Sequence, residues 1–186
     1  MQEIETFCPT SPQHWRQWLA ENHQSKQSIW LIYYKKQTKK PSLSWSEAVD
    51  EALCFGWIDS TAKTIDSETY KQFFCKRKPK SVWSKVNKDK VERLLANDLI
   101  APAGLACIDI AKQNGSWSIL DDVEALKMPE DLATAFDAQP DALDFFLSFS
   151  KSAQKSILQG LVLLKRPETR QKRIKEIVER AAQKLK

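Results

Sequence analysis

β-branched and aromatic residues gather into strand-like runs in only three places, all in the first half of the chain. These are "SIWLIYYKK" (28–36), "WIDSTAKTI" (57–65) and "TYKQFFCKRK" (69–78). Each is bounded by polar or turn-forming residues, and the last two are separated only by the turn "DSE". Three runs with short connections predict a small antiparallel sheet of about three strands, with helices packed on one side. The fold class is therefore α+β, because everything else reads as helix.

The helical segments carry start and stop signals. Ser11 followed by Pro12 opens "SPQHWRQWLAENH", with Trp15, Trp18 and Leu19 on one face. "LSWSEAVDEALCFG" begins with a capping box, Ser44 with Glu47 three residues on, and carries Ala48, Val49, Ala52 and Leu53 as its stripe. Gly56 falls where a helix ends in a left-handed residue, so "ALCFGWIDST" reads as a helix C-terminus turning into a strand whose Trp57, Asp59, Thr61 and Lys63 share one face. "NKDKVERLLANDL" and "PAGLACIDIAKQNG" continue the helical pattern. After a loop at 116–128, the remainder is helical, with Pro129, Pro140 and Pro167 each suited to a first turn. The chain thus divides into an α+β core, 1–120, and a helical C-terminal segment, 121–186.

Charge is concentrated rather than dispersed. Lys71–Lys90 holds eight Lys/Arg and one acid, a net +7, while 119–147 holds eight acids and one lysine, a net −7. Lys165–Lys186 holds nine Lys/Arg and three acids, a net +6. Grouped cations make a local field that draws anionic partners. The last helix offers its arginines either to such a partner or to the acidic helices at 119–147, and the second arrangement keeps opposite charges within one segment. No run is long enough for a membrane span, and the first fifteen residues lack the pattern of a secretory signal, which sets the cytoplasm as the expected compartment. Cys8, Cys54, Cys75 and Cys107 form no CxxC pair, which argues against a disulfide framework and against a zinc site. With no GxGxxG and no P-loop, no metal and no cofactor is expected.

The chemistry-bearing residues gather in "KQFFCKRKPKSVWSKVNKDK". Arg77, Lys78 and Lys80 flank Pro79; Ser81 and Ser84 can cap the helix that follows; Trp83 offers a planar face; Asn87 and Lys88 lie in the first turn. Cations beside free backbone N–H groups at a helix start suit a phosphate, a carboxylate or a nucleic-acid backbone. The same stretch also reads as a solvated basic segment anchored by a buried Trp83. Asp59 needs a partner if half-buried, with Arg77 or a neighbouring lysine the candidate; as a catalytic base it would need a cleft. Cys54, at a helix C-terminus, lacks the field that stabilises a thiolate. His14 and His23 sit in no Ser/His/Asp order. Of the seven tryptophans, Trp57 and Trp83 are the candidates to line a pocket.

The segments "WRQWLAENH", "EALCFGWIDS", "RKPKSVWSKVNK", "PAGLACIDIAKQNGSW" and "ETRQKRI", in this order, resemble the YdeI/OmpD-associated, bacteriocin-protection family. Where its members typically have a Pro-Arg pair before Lys-Pro, this chain has Cys75-Lys76-Arg77. The resemblance implies a bacterial protein with a small α+β core and a helical C-terminal (OmdA-like) segment, and a link to tolerance of bacteriocins, cationic antimicrobial peptides and stress. It implies no reaction.

Two functional readings follow. The first is a non-enzymatic binding protein with a cationic, Trp-lined groove between the strand 69–77 and the helix after Ser84. Its residues are Trp57, Arg77, Lys78, Lys80, Ser81, Trp83, Ser84, Asn87 and Lys88. Its ligand is an anionic small molecule or a phosphate-bearing one, with nucleic acid a further anion that fits. The second is a small enzyme acting on an anionic substrate in the same groove, with Asp59 as acid/base.

Overall fold

The computed structural model describes residues 4–184. Two compact units divide after Trp117.

The first unit is a sheet with helices over one face. In chain order it contains β1 (Thr6–Phe7), α1 (Pro12–Asn22), β2 (Ser28–Tyr34), a 3-10 turn (Lys36–Thr38), α2 (Trp45–Cys54), β3 (Trp57–Thr64), β4 (Thr69–Lys76), α3 (Lys85–Ala96) and α4 (Pro102–Gln113). The strand order is β1-β2-β4-β3. β2, β4 and β3 pair antiparallel, as the three sequence runs require, and the two-residue β1 adds a parallel edge beside β2. A strand that short has no alternation to detect, so the sequence gives three strands where the structure has four.

The register sorts the side chains. Ile29, Leu31 and Tyr33 of β2 align with Phe74, Gln72 and Tyr70 of β4, and Trp57 and Asp59 of β3 align with Lys76 and Phe74. This face carries the sheet's buried residues: Ile29, Leu31, Tyr33, Gln72, Phe74 and Trp57. A bulge between Asp59 and Ala62 adds one residue to β3. The alternation expected through Thr61 and Lys63 is therefore broken, and Ala62 takes the place beside Gln72.

Capping fixes the helices as the sequence indicates. Ser11 Oγ accepts from the His14 amide, the Ser44–Glu47 box is complete, and Ser84 Oγ accepts from the Asn87 amide. Each satisfies amide groups that would otherwise have no partner. Trp15, fully buried, donates its indole N–H to the Ala48 carbonyl at 3.1 Å and so joins α1 to α2. Asp50 on α2 accepts from Lys90 at 2.7 Å and Arg93 at 2.6 Å, which ties α3 to α2.

Helix α4 meets the α2–β3 turn almost backbone to backbone. A Cβ on Gly104 would lie 2.4 Å from the Cys54 carbonyl oxygen, and the Ala101 amide donates to that same carbonyl at 2.9 Å. On the other side of the contact, Gly56 has φ +72°, and a Cβ there would sit 3.1 Å from the Ala103 carbonyl oxygen. Gly56 thus serves both the left-handed turn and the close approach.

The second unit holds α5 (Asp121–Glu124), α6 (Glu130–Asp137), α7 (Pro140–Leu147), α8 (Lys151–Val162) and α9 (Pro167–Ala182). A short helix, α5, thus interrupts the loop expected at 116–128. Leu132, Phe136, Phe146, Leu158, Leu161 and Ile174 are buried. Arg170 of α9 forks onto Asp131 of α6 through two bonds, at 2.6 and 2.9 Å. That pair follows the arrangement in which α9 packs against the acidic helices. Among the described residues, no helix is long and apolar enough to cross a membrane.

Gly104→Ala should cost at least 2 kcal/mol in urea unfolding, because the added methyl overlaps backbone that cannot move alone. Gly160→Ala should instead add about 0.5–1 kcal/mol, since Gly160 lies inside α8 with open space where a Cβ would stand.

Candidate functional site

A cleft of about 390 Å³ opens where α4 crosses the sheet's end. Its walls come from four places: His23 at the end of α1, Phe55, Gly56 and Trp57 at the α2–β3 turn, Lys76, Arg77 and Pro79 after β4, and Ala103, Ala106, Cys107 and Ile110 along α4. The Gly104–Cys54 and Gly56–Ala103 contacts set the distance between turn and helix, and so the width of the opening.

Arg77 is the unusual group. Only 8% exposed, it lies over the Trp83 indole, guanidinium carbon to ring centroid 3.7 Å. One Nη donates to the Val82 carbonyl at 2.5 Å. Among the described residues its Nε and Nη1 have no hydrogen-bond partner, and neither has the Trp57 indole N–H, all three atoms being shut off from solvent. Buried donors are normally paired, so three orphans beside one cleft need an explanation. Loss of hydration pushes the Arg77 guanidinium well below the usual arginine range, down to about 10. The sign is that of a cation the fold disfavours: at pH 7 its charge costs stability, on the order of 3 kcal/mol, and the cost fades only as pH rises through about 10.

The segment after Arg77 is strapped to the end of α4. The Pro79 carbonyl accepts from Asn114 Nδ2 at 2.8 Å and Ser116 Oγ at 3.3 Å, and the Trp83 amide donates to the Ser116 carbonyl at 3.3 Å. This holds Pro79 at the rim and keeps Trp83 beneath Arg77.

The structure divides the residues singled out from the sequence. Trp57 and Arg77 line the cleft. Trp83 is 1% exposed and forms the floor under Arg77, so neither indole is the half-exposed wall expected of it, Trp57 also being 1% exposed. Lys78 and Lys80 are exposed, Ser81 is half-buried, and Ser84 and Asn87 are taken up by the α3 cap. Lys88 lies over Trp117 at 5.8 Å. These six lie away from the cleft walls, because Pro79 turns the chain outward.

Asp59 has different partners from the expected cations. Its Oδ2 accepts from Trp45 Nε1 at 2.8 Å and Gln72 Nε2 at 2.9 Å, and the carboxylate is not part of the cleft wall. The bulge that follows Asp59 places it against Gln72. Cys54, Cys75 and Cys107 are each raised above the ordinary thiol range by burial, which holds them protonated near neutral pH. Among the described residues, no three His, Cys, Asp or Glu side chains converge as metal ligands.

Sequence reasoning missed the contributions of His23, Phe55, Lys76 and α4. His23 Nδ1 donates to the Leu19 carbonyl at 2.8 Å and its ring packs on Phe55, which fixes it at the rim. The usable signal was Gly104: a glycine inside a helix marks a close approach.

Fold and cleft together define an α+β domain joined to a helical unit. Residues 7–107 match the family described as Domain of unknown function (DUF8412), and residues 125–184 match the one described as Bacteriocin-protection, YdeI or OmpD-Associated. The chain belongs to the first of these families, whose profile spans more than half its length, and carries an OmdA domain as its C-terminal part. Of the five segments that resemble the YdeI/OmpD-associated family, "ETRQKRI" lies in the OmdA match. "WRQWLAENH", "EALCFGWIDS" and "RKPKSVWSKVNK" lie wholly within the other match, where the cleft is built. No curated protein and no solved structure shows significant similarity to the chain.

Arg77→Met keeps the length of the side chain and removes a charge that the fold disfavours. Its unfolding free energy at pH 7 should stay within about 1 kcal/mol of the parent, or exceed it. Arg77→Ala should lose about 2–4 kcal/mol, because the Trp83 face is left uncovered. Parallel urea titrations distinguish these outcomes.

Proposed function

We propose that the chain is a non-enzymatic binding protein whose cleft takes a small anionic molecule with an apolar body. The observation that carries this reading is the set of three orphaned donors, Arg77 Nε, Arg77 Nη1 and Trp57 Nε1, behind one wall of an open cleft. A carboxylate or phosphate head would give the guanidinium a counter-charge in direct contact and the acceptors that its Nε and Nη1 lack. Phe55, Trp57, Ala103, Ala106 and Ile110 would cover an aromatic or aliphatic body, and a volume near 390 Å³ suits a metabolite-sized ligand. The donors lie just behind the lining, so entry of the head group requires a small side-chain movement, with Lys76, whose Nζ donates to the Gln24 carbonyl at 2.7 Å, a second cation in the wall.

The affinity in this reading comes from relieving a penalty that the empty protein already carries. That favours binding over catalysis: the cleft wall supplies no carboxylate, and burial holds its one thiol, Cys107, protonated. In the cell we place the protein in the cytoplasm, where its four thiols stay reduced, and link it to tolerance of bacteriocins or cationic antimicrobial peptides in keeping with its OmdA domain.

Thermal unfolding at fixed ionic strength in hexanoate, benzoate, phenyl phosphate and inorganic phosphate tests the reading. At least one organic anion should raise Tm saturably, by about 3–5 °C at ten times its Kd, and exceed inorganic phosphate. Arg77→Met, still folded, should lose the response. An equal response in that variant, or none from any anion, overturns the proposal.

A further inference from the structure

The face of the sheet turned away from the core has an unusual composition. Trp30 of β2 and Phe73 of β4 stand directly opposite one another, with ring centroids 5.1 Å apart. In the next row Ile32, Lys71 and Lys63 align across β2, β4 and β3. Lys63 and Lys71 are thus direct cross-strand neighbours, an arrangement that ordinarily destabilises a sheet. Their ammonium groups lie 5.5 and 4.8 Å from the Trp30 ring centroid. Neither meets a carboxylate among the described residues. The nearby acids are engaged elsewhere: Glu5 holds Lys26 and Glu68 holds Lys40, while Asp66 Oδ1 accepts from the Glu68 and Thr69 amides of its own turn. Tyr34 lies on the same face, with Lys40 4.9 Å from its ring. Trp30, Ile32 and Phe73 are half-buried and lie outside the core cluster.

We propose that this face binds single-stranded nucleic acid. Two aromatic rings on adjacent central strands, with unpaired cations beside them, match the two parts of a strand whose bases are exposed: flat rings and phosphates. In the empty protein the lysines rest on Trp30. A cation over a ring is worth a factor of about two to five, whereas stacking one base is worth about five- to a hundredfold. Bases therefore displace the ammonium groups, which swing to the flanking phosphates. The site is separate from the Arg77 cleft and stands without it.

The test is fluorescence anisotropy of the full chain with fluorescein-labelled dT15, dA15 and a 15-base-pair duplex, at 50 and 200 mM salt, with polyphosphate as competitor. Both single strands should bind at least tenfold more tightly than the duplex. Phe73→Leu should weaken them at least fivefold with the salt slope unchanged, and Lys63→Gln/Lys71→Gln should lower that slope by about 1.4. Arg77→Met should bind as the parent does. The proposal fails if the duplex binds equally, if Phe73→Leu has no effect while circular dichroism shows it folded, if Arg77→Met abolishes binding, or if no binding occurs at 50 mM salt.

Discussion

The Arg77 guanidinium lies on the Trp83 indole, gives one bond to the Val82 carbonyl, and forms no salt bridge among the described residues, Asp59 acting on it only as a charge at a distance. Much of the first unit is arranged around keeping it there. Pro79 turns the chain away, Asn114 and Ser116 hold that turn to the end of α4, and the Arg77 amide donates to the Gly56 carbonyl at 2.9 Å. A charge held under these conditions burdens the empty protein. Such an arrangement makes physical sense as a receptor for the missing counter-charge, with the stacking on Trp83 limiting the cost until a ligand arrives.

The local signals in the chain were readable because they are local. Ser11 with Pro12, the Ser44–Glu47 box, Gly56 at the end of α2 and Ser84 before α3 each act within four residues, and each took the predicted role. The antiparallel core of the sheet was readable from alternation. β1 was not, since two residues carry no period. The bulge after Asp59 was not, because an inserted residue is defined only against the partner strand. It gave Asp59 a tryptophan and a glutamine where sequence order suggested a cation.

The candidate site was half legible for the same reason. Grouped charge around Arg77 pointed to the right neighbourhood, but six of the residues singled out there lie away from the cleft walls, and the wall opposite Arg77 comes from α4, about thirty residues on. What brings α4 there is Gly104 against the Cys54 carbonyl, a contact with no periodic signature. "EALCFGWIDS" and "PAGLACIDIAKQNGSW", two segments noted apart in the sequence, meet at that contact. The division into families follows the same line: the cleft belongs to the domain of unknown function, while the OmdA match covers helices with a core of their own.

The state of Arg77 is open to direct observation by ¹H–¹⁵N NMR tuned to arginine Nε–H groups. The account predicts one Nε–H, lost in Arg77→Met, that exchanges with water far more slowly than the surface arginines and moves downfield when an organic anion binds. An Arg77 signal that exchanges as fast as the others and is indifferent to every anion would mean that the guanidinium is already hydrated, and the central claim would not stand.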